Sequence, residues 1–195
     1  MKLLWIFLVL LLCVGGGGFF ASQLGYLTIP GETIPVTIEK GENFALLAGK
    51  LEAQGIVKSG RALRWYVNLF PPAKSLKRGE FGLYKNMPIP QVVKALTEGK
   101  PMEYKFTVPE GHNMFQVAES LEAKGFAKRA DFLAAARAKE VLAQIPQTSR
   151  VEDSRHPKTI EGYIYPDTYM LQKVFTPTEI AGVMVSRFRE VYQSL

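Results

Sequence analysis

The chain has 195 residues, of which 47% are hydrophobic and 22% charged, a composition typical of one or two small folded domains. Its net charge of +6 suits an anionic partner, and the alternative is a solvated basic surface without such a partner. The basic residues have no interleaved ladder of aromatic residues, so we do not expect nucleic acid to be that partner. The single cysteine, Cys13, excludes an intramolecular disulfide.

The first predicted element is an apolar helix over residues 3–21, which contain no charged residue. A helix of this length is roughly 28 Å long, close to the thickness of a bilayer's hydrocarbon core. Lys2 precedes it, which favours an N-terminus inside and a body outside. We expect a single-pass protein of the inner membrane with its body on the periplasmic side. The alternative is a cleaved signal peptide, but Phe19 and Phe20 stand where a cleavage site requires small residues. We therefore expect residues 1–27 to be a membrane anchor and its flank.

Residues 28–35 are predicted to be a linker, because they contain two prolines and a glycine and show little periodicity. The body then repeats itself at a spacing of seventy residues. The stretch that begins at Val36, VTIEKGENFALLAGKLEAQGIVKSGRAL, aligns without gaps with the stretch that begins at Phe106, FTVPEGHNMFQVAESLEAKGFAKRADFL. A repeat of this kind predicts one structural unit used twice.

Each copy is predicted to be a βααβ unit, so that the fold class is α+β. Alternating β-type residues open the copy, a helix with apolar residues three or four apart follows, and Gly55 or Gly125 ends that helix. A second short helix comes next, with Phe70 facing inward in the first copy, and Phe115 faces inward from the first helix of the second copy. The closing strands are predicted at residues 80–85 and 161–171, and one more helix follows each.

The βααβ order is similar to that of the LysM module, a small carbohydrate-binding unit of cell-wall proteins. Such units occur widely, so a plain scaffold remains the alternative to glycan binding. We expect residues 36–104 to form a LysM-like subdomain and residues 105–195 to begin a second domain.

The sequence contains few residues that could bind a metal or a cofactor. His112 and His156 are the only histidines, and neither belongs to a zinc-binding motif. No phosphate-binding loop, dinucleotide glycine pattern or GxSxG motif is present. The sequence therefore predicts no metal and no cofactor.

The stretch TIEGYIYPDTY, residues 159–169, combines carboxylates with tyrosines. Aromatic rings lie against sugar faces, and an acid in an apolar setting can donate a proton to a glycosidic oxygen near neutral pH. The alternative is a β-hairpin with cross-strand aromatic packing and a solvent-facing Glu161. In either case Asp167 is expected to accept hydrogen bonds at a turn or strand end, its role as a second catalytic carboxylate being the alternative. Glu80, at the equivalent place in the first copy, is expected at the surface.

TIEGYIYPDTYML closely resembles the signature of the YceG-like endolytic murein transglycosylases, and Glu161 matches that family's catalytic glutamate. KFTVPEGHNMFQVAESL resembles the segment that introduces the family's catalytic domain, and GEFGLY with PIPQVVKALTEGK resembles the end of its LysM-like subdomain. The resemblance implies that residues 105–195 belong to a catalytic domain. It implies that Glu161 is catalytic and that substrate is bound by neighbouring residues, namely Tyr163, Tyr165, Asp167, Thr168 and Tyr169.

The resemblance implies a peptidoglycan lytic transglycosylase, which cleaves the bond between N-acetylmuramic acid and N-acetylglucosamine in nascent strands and leaves 1,6-anhydro ends. Glu161 would serve as both general acid and general base. Glycan strands and peptidoglycan synthases are then the expected partners, with the membrane contacted through the N-terminal helix. The family continues for well over a hundred residues beyond this point, so we expect the active site of this stretch to be incomplete. The alternative from another class is a non-catalytic, membrane-anchored wall-binding or adaptor protein.

Overall fold

The computed structural model describes residues 31–146 and 157–194, which form a mixed α+β fold. The chain divides after Met102 into two compact units. The segment 3–21, predicted to span a membrane, lies outside the described residues. Within the described part of the chain, no helix has both the length and the apolar character needed to cross a bilayer.

The first unit has the order strand, helix, helix, strand, helix. Its elements are β1 (Thr33–Ile38), α1 (Phe44–Ala53), α2 (Gly60–Leu69), β2 (Gly79–Tyr84) and α3 (Ile89–Thr97). β1 and β2 pair antiparallel, with Val36 opposite Phe81. One face of this two-stranded sheet packs with the helices around a core that includes Leu47, Leu51 and Leu96, each fully buried.

The second unit repeats this order with one additional short helix. Its elements are β3 (Tyr104–Thr107), α4 (Met114–Ala123), α5 (Arg129–Ala135), α6 (Lys139–Leu142), β4 (Thr168–Leu171) and α7 (Pro177–Gln193). β3 and β4 pair antiparallel, with Phe106 opposite Tyr169. Phe106 and Phe132 are fully buried in the core of this unit. Burial of a side chain of this size stabilises the fold by about 1.5–3 kcal/mol.

The repeated sequence signals have the same structural role in both units. Asn43 and Asn113 are N-caps whose side chains accept hydrogen bonds from the backbone three residues later, in α1 and α4. Gly55 and Gly125 both follow the helix with φ of 70°, a conformation that glycine adopts without steric cost. The predicted βααβ order is therefore confirmed in the first copy, and the second copy has the same order with α6 added before its closing strand.

Three expectations about the first unit are corrected by the structure. β1 begins at Thr33, inside the predicted linker, because residues 33–35 continue the antiparallel pairing with β2. Phe70, predicted to face inward, lies at the C-cap of α2 and is 56% exposed. Glu80, predicted at the surface, is buried in β2, where the chain at Met102 runs beside it and the amide of Met102 donates to the backbone carbonyl of Glu80.

In the second unit, the predicted closing strand over residues 161–171 is much shorter than expected. Only Thr168–Leu171 forms a strand, and Glu161 lies in a turn. Gly162 has a φ of 82°, and Pro166 has no backbone N–H for a ladder, so neither residue fits a regular strand here. Phe115, expected to be buried, is 45% exposed, because it lies at the second position of α4 on its outer side.

Candidate functional site

The turn that carries Glu161 is fixed by a buried side chain and two backbone hydrogen bonds. Ile160 is fully buried, and its amide donates to the carbonyl of Ala136 at the end of α5, at 3.0 Å. The amide of Tyr163 closes the turn by donating to the carbonyl of Ile160 at 2.9 Å. With Ile160 anchored inward, the next residue, Glu161, is presented at the surface of the unit.

The carboxylate of Glu161 is held at the N-terminus of α4. Its Oε2 atom accepts a hydrogen bond from the backbone amide of Met114, the first residue of that helix, at 2.8 Å. The amides of a first helical turn have no partner within the helix, and the helix dipole places positive charge there. A carboxylate is therefore a matched acceptor at this position, and the contact orients Glu161 relative to α4.

Met114 is a site residue that the sequence did not reveal. The capping box formed by Asn113 and Gln116 marks the beginning of α4, and both of its hydrogen bonds are present. That signal locates a helix N-terminus and its unpaired amides. It does not say which distant side chain will accept from them, and Glu161 is 47 residues away.

The apolar setting expected for the acid is not found around Glu161. The residue is exposed, as is Gly162 beside it. The backbone amide of Glu161 donates to Oγ1 of Thr159 at 3.2 Å, so the immediate surroundings are polar. The interpretation of Glu161 as an acid in an apolar pocket is therefore wrong for this part of the chain.

Asp167 accepts hydrogen bonds at the beginning of β4, as expected. Its Oδ1 accepts from the amide of Thr168 at 2.7 Å, and its backbone carbonyl accepts from the amide of Val108 at 2.9 Å. Oδ2 accepts from Nε of Arg187 on α7 at 2.6 Å. The hydrogen bond from Thr168, followed by that from Arg187, lowers the pKa of Asp167 below its usual value of 3.8.

The tyrosines of the motif differ in accessibility. Tyr169 is 4% exposed and belongs to the core, and its hydroxyl donates to the backbone carbonyl of Tyr165. Burial, with a smaller contribution from the charge of Asp167, raises the pKa of Tyr169 well above its usual value of 10.0. The ring of Tyr163 is half-buried and packs edge-on against Phe188 at 5.2 Å between centroids. Tyr169 is thus a core residue, whereas Tyr163 and Tyr165 keep part of their surface accessible.

An open groove of about 570 Å³ lies beside β4 and α7. Asp167, Thr168 and Tyr169 line it together with Arg187, but Glu161 does not. The hydroxyl of Thr168 is hydrogen-bonded across the sheet to that of Thr107 at 2.9 Å. The predicted site residues are therefore divided, with Glu161 at the N-terminus of α4 and the Asp167 group along the groove.

Within residues 31–146 and 157–194, no three histidine, cysteine or acidic side chains lie close enough to hold a metal ion. The arrangement offers an oriented carboxylate, an aspartate paired with an arginine, and partly accessible aromatic rings. Proton transfer and contact with a saccharide are the chemistry that such groups can perform.

The sequence pattern of the YceG-like family matches residues 36–194, which include both units. The chain belongs to the YceG-like family. This YceG-like chain is 30% identical over 208 residues to a protein of Streptococcus pneumoniae strain D39 named endolytic murein transglycosylase, a match that covers 92% of the chain and 37% of that protein. A Bacillus subtilis protein of the same name is 24% identical over 173 residues, covering 83% of the chain and 48% of that protein.

The YceG-like chain therefore spans less than half the length of the curated relatives it matches. Among solved structures, it is similar to a YceG-like protein from Listeria monocytogenes, with 25% sequence identity and a TM-score of 0.41. That similarity covers 84% of this chain and 56% of the Listeria chain.

Proposed function

We propose that the protein to which this chain belongs is an endolytic peptidoglycan lytic transglycosylase, a carbon-oxygen lyase. It cleaves the bond between N-acetylmuramic acid and N-acetylglucosamine within nascent glycan strands and leaves 1,6-anhydro ends. The names of the relatives support the substrate class, and the position of Glu161 supports the chemistry.

Glu161 acts twice in the proposed reaction. Its protonated carboxyl donates to the glycosidic oxygen as the bond from that oxygen to C1 of the muramyl residue breaks. The resulting carboxylate then accepts the proton of the muramyl C6 hydroxyl as O6 bonds to C1. The proton is returned to Glu161, and no water is consumed.

The hydrogen bond from Met114 to Glu161 is the observation that carries this proposal. It holds Oε2 at 2.8 Å from a backbone amide, which leaves Oε1 as the atom that exchanges the proton with substrate. The contact also fixes the orientation of the carboxyl group relative to α4, which a group that donates and then accepts a proton requires. A group held by backbone atoms also keeps its position when substrate binds.

The substrate contacts are proposed for the accessible members of the motif. Tyr163 and Tyr165 offer partly exposed rings beside Glu161, and rings of this kind lie against sugar faces. Thr168 and Asp167 line the groove, where their polar atoms can contact a glycan strand. Tyr169 contributes from the core, by holding the backbone of Tyr165 through its hydroxyl.

We further propose that residues 3–21 anchor the protein in the inner membrane as a single span, with both units on the periplasmic side. In this arrangement the first unit is a LysM-like module, the second belongs to the catalytic domain, and peptidoglycan synthases that extend nascent strands are partners. The charge-free stretch of apolar residues supports the anchor.

The experiment is to digest purified sacculi with the full-length enzyme and to weigh the released ends by mass spectrometry. Anhydro ends are lighter than reducing ends by one water. We expect anhydro ends from the native enzyme and their release to be about 10²- to 10⁴-fold slower with Glu161→Gln. Glutamine keeps an oxygen that can accept from Met114, so folding and glycan binding are expected to persist. Glu110→Gln, an exposed carboxylate before α4, is the matched control and should retain activity.

If reducing ends were the main product, the enzyme would be a hydrolase and the proposed lytic reaction would be wrong. Near-normal turnover by Glu161→Gln would remove Glu161 from catalysis. A native protein that binds glycan strands without releasing any product would instead support the wall-binding or adaptor role.

A further inference from the structure

Helix α2 of the first unit ends in a cluster of exposed apolar side chains. Trp65 is 73% exposed, Leu69 is 63% exposed and Phe70 is 56% exposed. Trp65 and Leu69 are four residues apart, so they lie on the same side of the helix. Tryptophan is rarely left this accessible on the surface of a folded domain, and a cluster of such residues marks a site of interaction.

The positive charge of the chain is concentrated in the same segment. Residues 53–79 contain no aspartate or glutamate, so this segment alone has a net charge of +6, the same as the whole chain. Its six basic residues are Lys58, Arg61, Arg64, Lys74, Lys77 and Arg78. Arg61 and Arg64 are exposed on α2 itself, within one turn of Trp65. We define the α2 face as Arg61, Arg64, Trp65, Leu69 and Phe70.

A surface that combines exposed Trp, Leu and Phe with arginine has the composition of an interfacial membrane-binding helix. The rings and aliphatic groups enter the boundary between head groups and acyl chains, while the guanidinium groups pair with anionic phosphates. Trp is enriched at this depth because its ring is apolar and its N–H is polar. Each basic residue near an anionic surface contributes roughly a fivefold increase in binding.

The position of the first unit in the chain brings this face close to a bilayer. Residues 22–32 connect the proposed anchor to β1, and eleven extended residues reach at most roughly 38 Å. A unit of this size has a radius of gyration of about 11 Å. The unit can therefore lie directly on the membrane, a step that rests on the anchor proposed above.

We propose that the α2 face docks the first unit on a bilayer that contains anionic phospholipid. The unit is then held against the membrane surface rather than extended away from it. The occupant is lipid, and the recognition combines insertion of Trp65, Leu69 and Phe70 with pairing of Arg61 and Arg64 to phosphate.

The test uses the full-length protein with Trp5→Phe, which leaves Trp65 as the only tryptophan of the printed sequence, and further tryptophans of the longer chain are replaced by Phe. The protein is reconstituted into nanodiscs of phosphatidylcholine with or without phosphatidylglycerol. We expect Trp65 emission to shift to shorter wavelength and to be quenched by brominated acyl chains, more strongly in the anionic discs. Added salt should reduce the quenching, because it screens the charges.

Charge variants separate the α2 face from general attraction. Arg61→Gln with Arg64→Gln should lower the equilibrium constant between docked and undocked states about 25-fold. Lys40→Gln with Lys94→Gln makes the same change in net charge at exposed sites elsewhere in the unit, and should have a much smaller effect. All four side chains are at least partly exposed, and circular dichroism checks that the variants fold.

Each other outcome overturns the proposal. If the protein is anchored but Trp65 is not quenched, the α2 face does not dock on the bilayer. If the protein associates with neither kind of disc, the proposal of a membrane anchor is refuted as well. Equal quenching in both discs, or equal loss in both double variants, removes the recognition of anionic lipid. Burial of Trp65 only with added glycan strands, acidic wall polymer or higher protein concentration assigns the face to those occupants. Glu161→Gln should leave the Trp65 signal unchanged, so failure of the catalytic proposal is seen separately.

Discussion

The Nε atom of Arg187 on α7 donates a hydrogen bond to Oδ2 of Asp167 at 2.6 Å, and so ties the last helix to the beginning of β4. Arg187 also contacts Glu190 at 3.3 Å, one turn later on the same helix. The hydrogen bond to Asp167 is the main cause of the raised pKa of Arg187. It is also one of the causes of the lowered pKa of Asp167. The two shifts agree in direction with a pair that favours the charged state of both partners.

The pairing of Asp167 predicts a loss of stability in acid. Because the pKa of Asp167 is lower in the folded state, its contribution is complete above the ordinary value of 3.8 and is lost as pH falls through the lower folded value. The free energy of unfolding should therefore decline less steeply below about pH 4 in Asp167→Asn than in the native protein. Urea unfolding between about pH 2.5 and 7 measures this, and Asp131→Asn on α5 is the control. Parallel curves for native protein and Asp167→Asn would contradict the prediction.

Asp167→Asn also distinguishes the proposed reaction from hydrolysis. A hydrolase that relies on two carboxylates loses activity at either position, whereas a transglycosylase with one catalytic carboxyl depends on Glu161. We expect Asp167→Asn to retain most turnover in the full-length enzyme, and Glu161→Gln to lose about 10²- to 10⁴-fold. Steady-state release of fragments from sacculi measures both, and equal losses would favour a second catalytic carboxylate.

Asn113 is expected to stabilise the helix end that holds Glu161. Asn113→Ala removes the side-chain cap of α4 and should lower the free energy of unfolding by about 0.5–2 kcal/mol. Lys128→Ala is the matched control, because Lys128 is the N-cap of α5 but makes no side-chain capping hydrogen bond. Chemical denaturation measures both variants, and an equal effect at the two positions would show that capping is not the cause.

Gly49 within α1 and Gly55 just after it should respond in opposite directions to the same substitution. Gly55 has a φ of 70°, so Gly55→Ala should cost about 1–2 kcal/mol of stability. Gly49 lies within the helix, and Gly49→Ala should add about 0.5–1 kcal/mol. Beyond the adjacent residues and the backbone of the helix itself, no atom lies within 4 Å of an added Cβ at either position, so steric overlap does not confuse the comparison. Thermal and urea unfolding should show the two signs, and a shared sign would refute the conformational explanation.

The proposed anchor predicts the N-terminus of the mature protein. Because Phe19 and Phe20 disfavour cleavage, the membrane fraction should contain protein that still carries residues 3–21. N-terminal sequencing of that fraction measures this directly. A mature chain that begins near Phe19 or Ser22 would identify the segment as a signal peptide.

Local signals in the sequence determined the order of elements in both units. An asparagine cap, an apolar stripe and a glycine stop act within one or two helical turns, so their meaning does not depend on the remainder of the fold. The same signals appear at Asn43 and Gly55 and at Asn113 and Gly125, and the two helices that they bound are the predicted ones. The motif around Glu161 was likewise recognisable from the sequence, and it indicated the YceG-like family.

Only the tertiary structure decided how the motif is arranged. The contact of Glu161 with Met114 joins residues 47 apart, and that of Asp167 with Arg187 joins residues 20 apart. Alternation of residue types predicted a strand from residue 161, whereas the buried anchor at Ile160 and the turn at Gly162 prevent it. Tyr165 and Tyr169 have the same side chain, yet one keeps an accessible surface and the other enters the core. The reason is that burial and long-range hydrogen bonds depend on which segments pack together. Periodicity within one segment does not identify the segments that it will contact.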